Sequence, residues 1–236
     1  MRAITAVALI AITTLASCVV TPPPSSGDPV PTGPVPDRVS AGTAAANFRS
    51  AVRRMEPIAE GVCNQQTRNV NCDFLIRVDP NRNAPPNAFQ SLTRQGRPVL
   101  TFTLALIADM RNQDEIAFVI GHEAAHHIEG HIAQQQQSAA AGAIIGGLVG
   151  SIAGADRGVV DNLSRVGGTI GARRFSRAHE LEADALGTVI TGRAGYDPVN
   201  GAAYFARIPD PGDRFLGTHP PNGERLATVR RVAQTL

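Results

Sequence analysis

The chain has 236 residues, with 22 basic against 20 acidic side chains for a formal net charge of +2, and every basic residue is Arg. A charge this balanced, with no basic block, argues against a nucleic-acid surface or an anionic-lipid patch. A composition that is 43 % hydrophobic and 18 % charged excludes collagen-like, coiled-coil and wholly disordered classes, and the length suits one domain with a real core, or at most two small ones.

Residues 1–17 read as a signal peptide. Arg2 supplies one positive charge, and Ala3 to Ala16 form an apolar run of signal-peptide length, too short for a comfortable membrane span. The run ends in Leu15-Ala16-Ser17-Cys18, which resembles the bacterial lipobox. That resemblance implies cleavage before Cys18, lipidation of Cys18, and anchoring to a membrane without spanning it. Residues 18–46 follow as a tether, in which Pro22, Pro23, Pro24, Pro29, Pro31, Pro34 and Pro36 disfavour helix and sheet and favour an extended spacer. The remaining residues, 47–236, form the globular domain. Cys63 and Cys72 are an even pair in an exported chain and are expected as a disulfide, which at this loop length stabilises by about 2.5–3 kcal/mol.

Within the domain, Asn47 to Glu60 carries Phe48, Val52 and Met55 at helical spacing. Asp73 to Asp79 alternates as a strand does, and Pro98 to Thr103 is expected as a second strand. Asn112-Gln113-Asp114-Glu115 resembles a capping box and opens a helix predicted to reach Gln137. Ser138 to Ala155 is small and apolar, with Gly142, Gly146, Gly150 and Gly154 spaced by four. It is expected as a mobile hairpin over a cleft, with membrane contact as the alternative. Further helices are predicted over Arg173 to Arg193, Pro198 to Arg207 and Asn222 to Gln234. Helices dominate and a small sheet lies on the N-terminal side, so the fold class is α+β.

The chemistry is concentrated in Gly121-His122-Glu123-Ala124-Ala125-His126, an HExxH motif inside a capped helix. At about 100° per residue, His122 and His126 share a face one turn apart and can hold one zinc ion. Glu123 stands beside them, where a general base must be. A metzincin third ligand is excluded, because Ile132 occupies its histidine position and no Met follows the motif. On a continuous helix His131 lies opposite His122, so His127 and His131 are expected as helix-surface or supporting groups. The run Ser176-Arg177-Ala178-His179-Glu180-Leu181-Glu182-Ala183-Asp184 offers a carboxylate instead. Glu180 and Asp184 share a face, Glu182 points to the far side and His179 elsewhere. Glu180 is thus the candidate third ligand, with Asp184 placed to orient a ligating His.

Together with Asn87-Ala88-Phe89, Gly187 and Thr218-His219-Pro220-Pro221-Asn222-Gly223-Glu224-Arg225, these motifs make the sequence similar to the HtpX, CAAX-prenyl-protease and BepA-type zinc metallopeptidases, within the gluzincins. The resemblance spans about residues 70 to 230, and it points to the periplasmic lipoprotein branch. It implies a zincin-like, mostly helical domain with one zinc ion on His122, His126 and Glu180, and Glu123 as the base. It also places His219 at the active site, as a donor to the developing oxyanion or as a plug on the metal. An edge strand that pairs with extended substrate is implied too, with Val99, Leu100, Thr101, Phe102 and Thr103 as the candidate. The expected substrates are misfolded or misassembled envelope proteins. Val19, and not Asp, follows the expected lipidated Cys, which favours the outer membrane by resemblance to lipoprotein sorting. The alternative function is a non-catalytic substrate-binding or chaperone-like module on the same fold.

Overall fold

The computed structural model describes residues 38–174, 176–208 and 220–236. The expected signal peptide, Cys18, most of the expected tether and His219 lie outside the described residues. Helix α1, Ala41–Gln66, starts where the Ser40 hydroxyl accepts from the Thr43 N–H. It begins six residues before the predicted start, so Ala41 to Ala46 are helix and not tether. Ala44, Phe48, Ala51, Met55, Ala59 and Val62 recur at intervals of three and four and are all buried. That apolar face carries the helix past exposed Pro57 to Cys63, which is disulfide-bonded to Cys72 across a Cα–Cα distance of 5.7 Å.

Three strands follow: β1 (Leu75–Val78), β2 (Ala88–Leu92) and β3 (Pro98–Phe102). Their spatial order is β1-β3-β2, with β1 parallel and β2 antiparallel to β3. β2, which the sequence reading did not assign as a strand, makes the hairpin with β3 through a turn at Gly96, whose φ of 78° only glycine adopts without strain. This order corrects the expected substrate edge. Val99 to Phe102 are central, buried throughout and paired on both sides, and Thr103 is tied to Asn87 and caps the next helix. Neither edge of β3 is open to a substrate; among the described residues the free edges belong to β1 and β2.

Helix α2 (Leu104–Asp109) leads to α3 (Gln113–Ile128), which is buried over most of its length. α3 ends far short of the expected Gln137, because Gly130 adopts φ 68° and turns the chain before α4 (His131–Ile152) starts. α5 (Arg157–Arg174) pairs with α4 in a helical hairpin. A β-carbon on Gly142 would lie 2.1 Å from the Gly167 carbonyl oxygen, so the two backbones touch there. The outer face of this hairpin leaves Ile144, Ile145, Leu148, Val149 and Ile152 exposed. Among the described residues no helix is long and apolar enough to cross a membrane.

The chain then forms α6 (Ser176–Arg193), α7 (Pro198–Ala202, capped by Asp197), a 3-10 turn (Ala203–Ala206) and α8 (Asn222–Ala233). α3 is the axis of the domain, with α1, α6, α7 and the sheet around it. At the crossing of α3 and α6, glycine faces glycine: a β-carbon on Gly187 would lie 2.9 Å from the His122 nitrogen, and one on Gly121 would lie 2.8 Å from the Gly187 carbonyl oxygen. Contact this close brings the acidic run of α6 up to the histidines of α3.

Candidate metal centre

α3 is fixed at its start by Asn112, whose side chain accepts from the Glu115 N–H at 2.9 Å. The Glu115 carboxylate accepts from the Arg111 N–H and from both Arg207 guanidinium nitrogens at 2.6 and 2.8 Å. This charged pair, with its carboxylate buried and its guanidinium partly exposed, ties the helix to the C-terminal part of the domain. Two turns on, His122 and His126 present their Nε2 atoms 3.0 Å apart. Glu180 reaches across from α6, with Oε2 3.4 Å from His122 Nε2 and Oε1 3.4 Å from His126 Nε2. Tetrahedral zinc with metal–ligand lengths of about 2.0–2.1 Å sets its ligands about 3.3–3.4 Å apart; the two Glu180 sides match this, and the 3.0 Å His122–His126 side needs to open by about 0.3 Å to hold the ion. These three residues form a group whose ligand atoms all lie within 4.8 Å of one another.

The charge of the site also suits a cation. His122 Nδ1 lies 2.9 Å from Asp184 Oδ1. Burial alone would lower the His122 imidazole, but hydrogen bonds to Asp184 and Glu180 overcome it and raise the group to about 10. Without a metal, the pocket thus draws a proton onto a buried histidine; a divalent ion supplies that positive charge directly. Asp184 is fully buried, and Arg225 from α8 grips it with Nε at 2.8 Å and Nη2 at 2.7 Å. Burial works against that carboxylate, yet Arg225 and His122 hold it below the usual range. The Arg225 guanidinium lies 3.6 Å from the centre of the Phe205 ring, which keeps it in place.

Glu123 is buried next to the triangle without joining it. Burial, reinforced by Glu180, pushes its carboxyl up against the pull of His122 and His126. It lines, with His122, a cavity of about 510 Å³ whose walls include Phe118, Val119, Tyr204, Phe205 and Asn222. Asn87 and Ala88, at the start of β2, form another part of that wall, and among the described residues the α4–α5 hairpin contributes no lining residue.

A model of peptidase family M48 matches residues 64–233. The chain belongs to that family. Among its relatives are the beta-barrel assembly-enhancing protease of Escherichia coli K12, 30 % identical over 60 % of this chain and 31 % of the relative, and yeast mitochondrial metalloendopeptidase OMA1, 27 % identical over 72 % of this chain and 49 % of the relative. The metalloprotease LoiP of Escherichia coli K12 is 28 % identical over 52 % of this chain and 51 % of the relative. The chain therefore spans a third to a half of the relatives it matches.

In this M48 metallopeptidase domain the ligand set expected from the sequence comes together, with Glu123 and Asp184 beside it. Three residues stand where the sequence reading did not put them. His131 is buried, with Nδ1 2.9 Å from His126 Nδ1, because the chain turns at Gly130 instead of continuing as helix. Burial, with the charges of His126 and His179, pushes the His131 imidazole down to about 4 against the opposing effect of Glu182. His179 stacks on His131 with ring centres 4.3 Å apart, and Glu182 Oε2 lies 3.1 Å from His131 Nε2. His127, by contrast, donates through Nε2 to the Asn71 carbonyl at 2.7 Å, beside the disulfide. Arg225 was present in the sequence motif but had no assigned role; a buried arginine is legible only once its carboxylate partner is known.

Proposed function

We propose that this chain is a zinc-dependent endopeptidase, held on the periplasmic side of a bacterial envelope membrane by lipid on Cys18, that cuts misfolded or misassembled envelope proteins. The observation that carries the catalytic part is the donor triangle of His122, His126 and Glu180 beside buried Glu123. A zinc ion bound there supplies Lewis acidity to the scissile carbonyl and to the attacking water. Glu123 takes the proton from that water and later delivers it to the leaving amine. Arg225 and Asp184 keep His122 in one orientation through the cycle. The free edge of β2, in place of β3, pairs with extended substrate, and the cavity lined by Phe118, Val119 and Phe205 receives an apolar side chain. His219 completes the site as oxyanion donor or as plug. The name of the beta-barrel assembly-enhancing relatives supports the envelope role, and the lipobox supports the anchor.

The test is digestion of an unfolded protein by the purified chain, with and without a zinc chelator, beside Glu123→Gln. Cleavage that stops with chelator and with Glu123→Gln is the expected result. Stoichiometric zinc with no cleavage would make the domain a binding module.

A further inference from the structure

We propose that His131 and Glu182 are positioning residues for the metal ligand His126, forming a hydrogen-bonded relay that sets its tautomer and aim. The inference rests on the zinc reading above and goes beyond it. His126 offers Nε2 to the triangle, so as a neutral ligand it carries its proton on Nδ1. That atom faces His131 Nδ1 at 2.9 Å, and two N–H groups cannot meet there. His131 must therefore accept at Nδ1 and carry its own proton on Nε2. Nε2 in turn lies 3.1 Å from Glu182 Oε2, which accepts it. Each donor in the chain has one acceptor, with the carboxylate at the outer end.

The fold enforces this arrangement from two sides. On an unbroken helix His131 would stand about 140° round from His126 and more than a turn away. The turn at Gly130 brings the first residue of α4 back onto the last turn of α3. His179 lies flat on the His131 ring, with an interplanar angle of 12°, and fixes its plane. The two ligating histidines are thus held by different devices: His122 by a carboxylate clamped by Arg225, His126 by a neutral imidazole with a half-exposed carboxylate behind it.

The experiment uses the full chain in detergent. Imidazole nitrogen NMR of the zinc-loaded protein should show His126 protonated at Nδ1 and His131 at Nε2; a His131 proton on Nδ1 would overturn the relay. Zinc affinity by chelator competition should fall about 10–100-fold in His131→Phe, yet stay within about threefold of the unaltered chain in His131→Asn, whose Oδ1 replaces the acceptor. Glu182→Ala should weaken zinc binding in the His131 background and change nothing further in His131→Phe. Equal losses in the Phe and Asn variants, or none in either, would also refute it. Where metal-free His131→Phe is unfolded by circular dichroism, the tautomers of the unaltered chain decide. Failure of the unaltered chain to take up zinc would overturn the metal reading itself, and this proposal with it.

Discussion

Gly187→Ala tests whether the close crossing of α3 and α6 sets the metal site. The added β-carbon would sit 2.9 Å from the His122 nitrogen, 3.0 Å from its Cα and 3.1 Å from the Gly121 carbonyl carbon. All three are backbone atoms of a packed helix and cannot swing aside. Restoring ordinary contact moves α6 away from α3 by roughly 0.5 Å, beyond the ~0.2 Å tolerance of metal–ligand lengths. Overpacking of this kind costs about 1–3 kcal/mol, and alanine's better helix propensity returns about 1 kcal/mol. The net loss of about 0–2 kcal/mol lowers Tm by no more than about 8 °C for a domain of this size. Zinc affinity should fall at least about tenfold, because Glu180 shifts with α6 while His122 and His126 stay on α3. Gly61→Ala is the control: that helical glycine has nothing within 4 Å of a new β-carbon, and the substitution should be neutral or slightly stabilising. Chelator competition and metal-free thermal unfolding read both variants. Unchanged zinc affinity in a folded Gly187→Ala protein would refute the idea that the glycine contact positions Glu180.

Glu123→Gln should abolish cleavage and keep zinc content near that of the unaltered chain, as metal analysis beside the digestion assay will report. Glu180→Ala should lose most of the zinc, whereas Asp184→Asn should lower affinity by about 10–100-fold, measured against a competing chelator. The metal-free chain should lose stability with rising pH. His122 has a folded pKa above its unfolded value, so its contribution is complete below about 6.5 and drains away toward about 10. Melting curves at pH 6 and pH 9 check this, and a higher melting temperature at pH 9 would contradict the assignment. Cys18→Ser should move the protein from the membrane to the soluble fraction, which fractionation after a high-salt wash measures.

What could be read from the sequence was local. The pairing of His122 with His126, the place of Glu123 beside them and the choice of Glu180 over Glu182 to complete the donor triangle follow from helical spacing within one helix at a time. The role of Glu182 does not, because it depends on a histidine that reaches it only after Gly130 turns the chain. Pro98 to Phe102 reads correctly as a strand, since its β-branched and aromatic residues fit a buried sheet, but strand order is a long-range property that its composition does not encode. α5 went unassigned because Gly158, Gly167, Gly168 and Gly171 lower its intrinsic helix propensity, and close backbone packing against α4 forms it regardless. The early start of α1 has the same character: Ala41 to Ala46 offer no large apolar side chain to mark a stripe, and the Ser40 cap decides the matter.

The grip of Arg225 on Asp184 also carries an order of events. Arg225 lies 103 residues beyond His122 and 41 beyond Asp184. A chain emerging from its N-terminus holds all three ligand residues well before it holds the guanidinium that neutralises and aims the carboxylate behind them. Until α8 docks, Asp184 is a buried charge without its arginine, and α6 has reason to stay away from α3. The aim of His122 is therefore complete only once α8, far along the chain from α3, has docked.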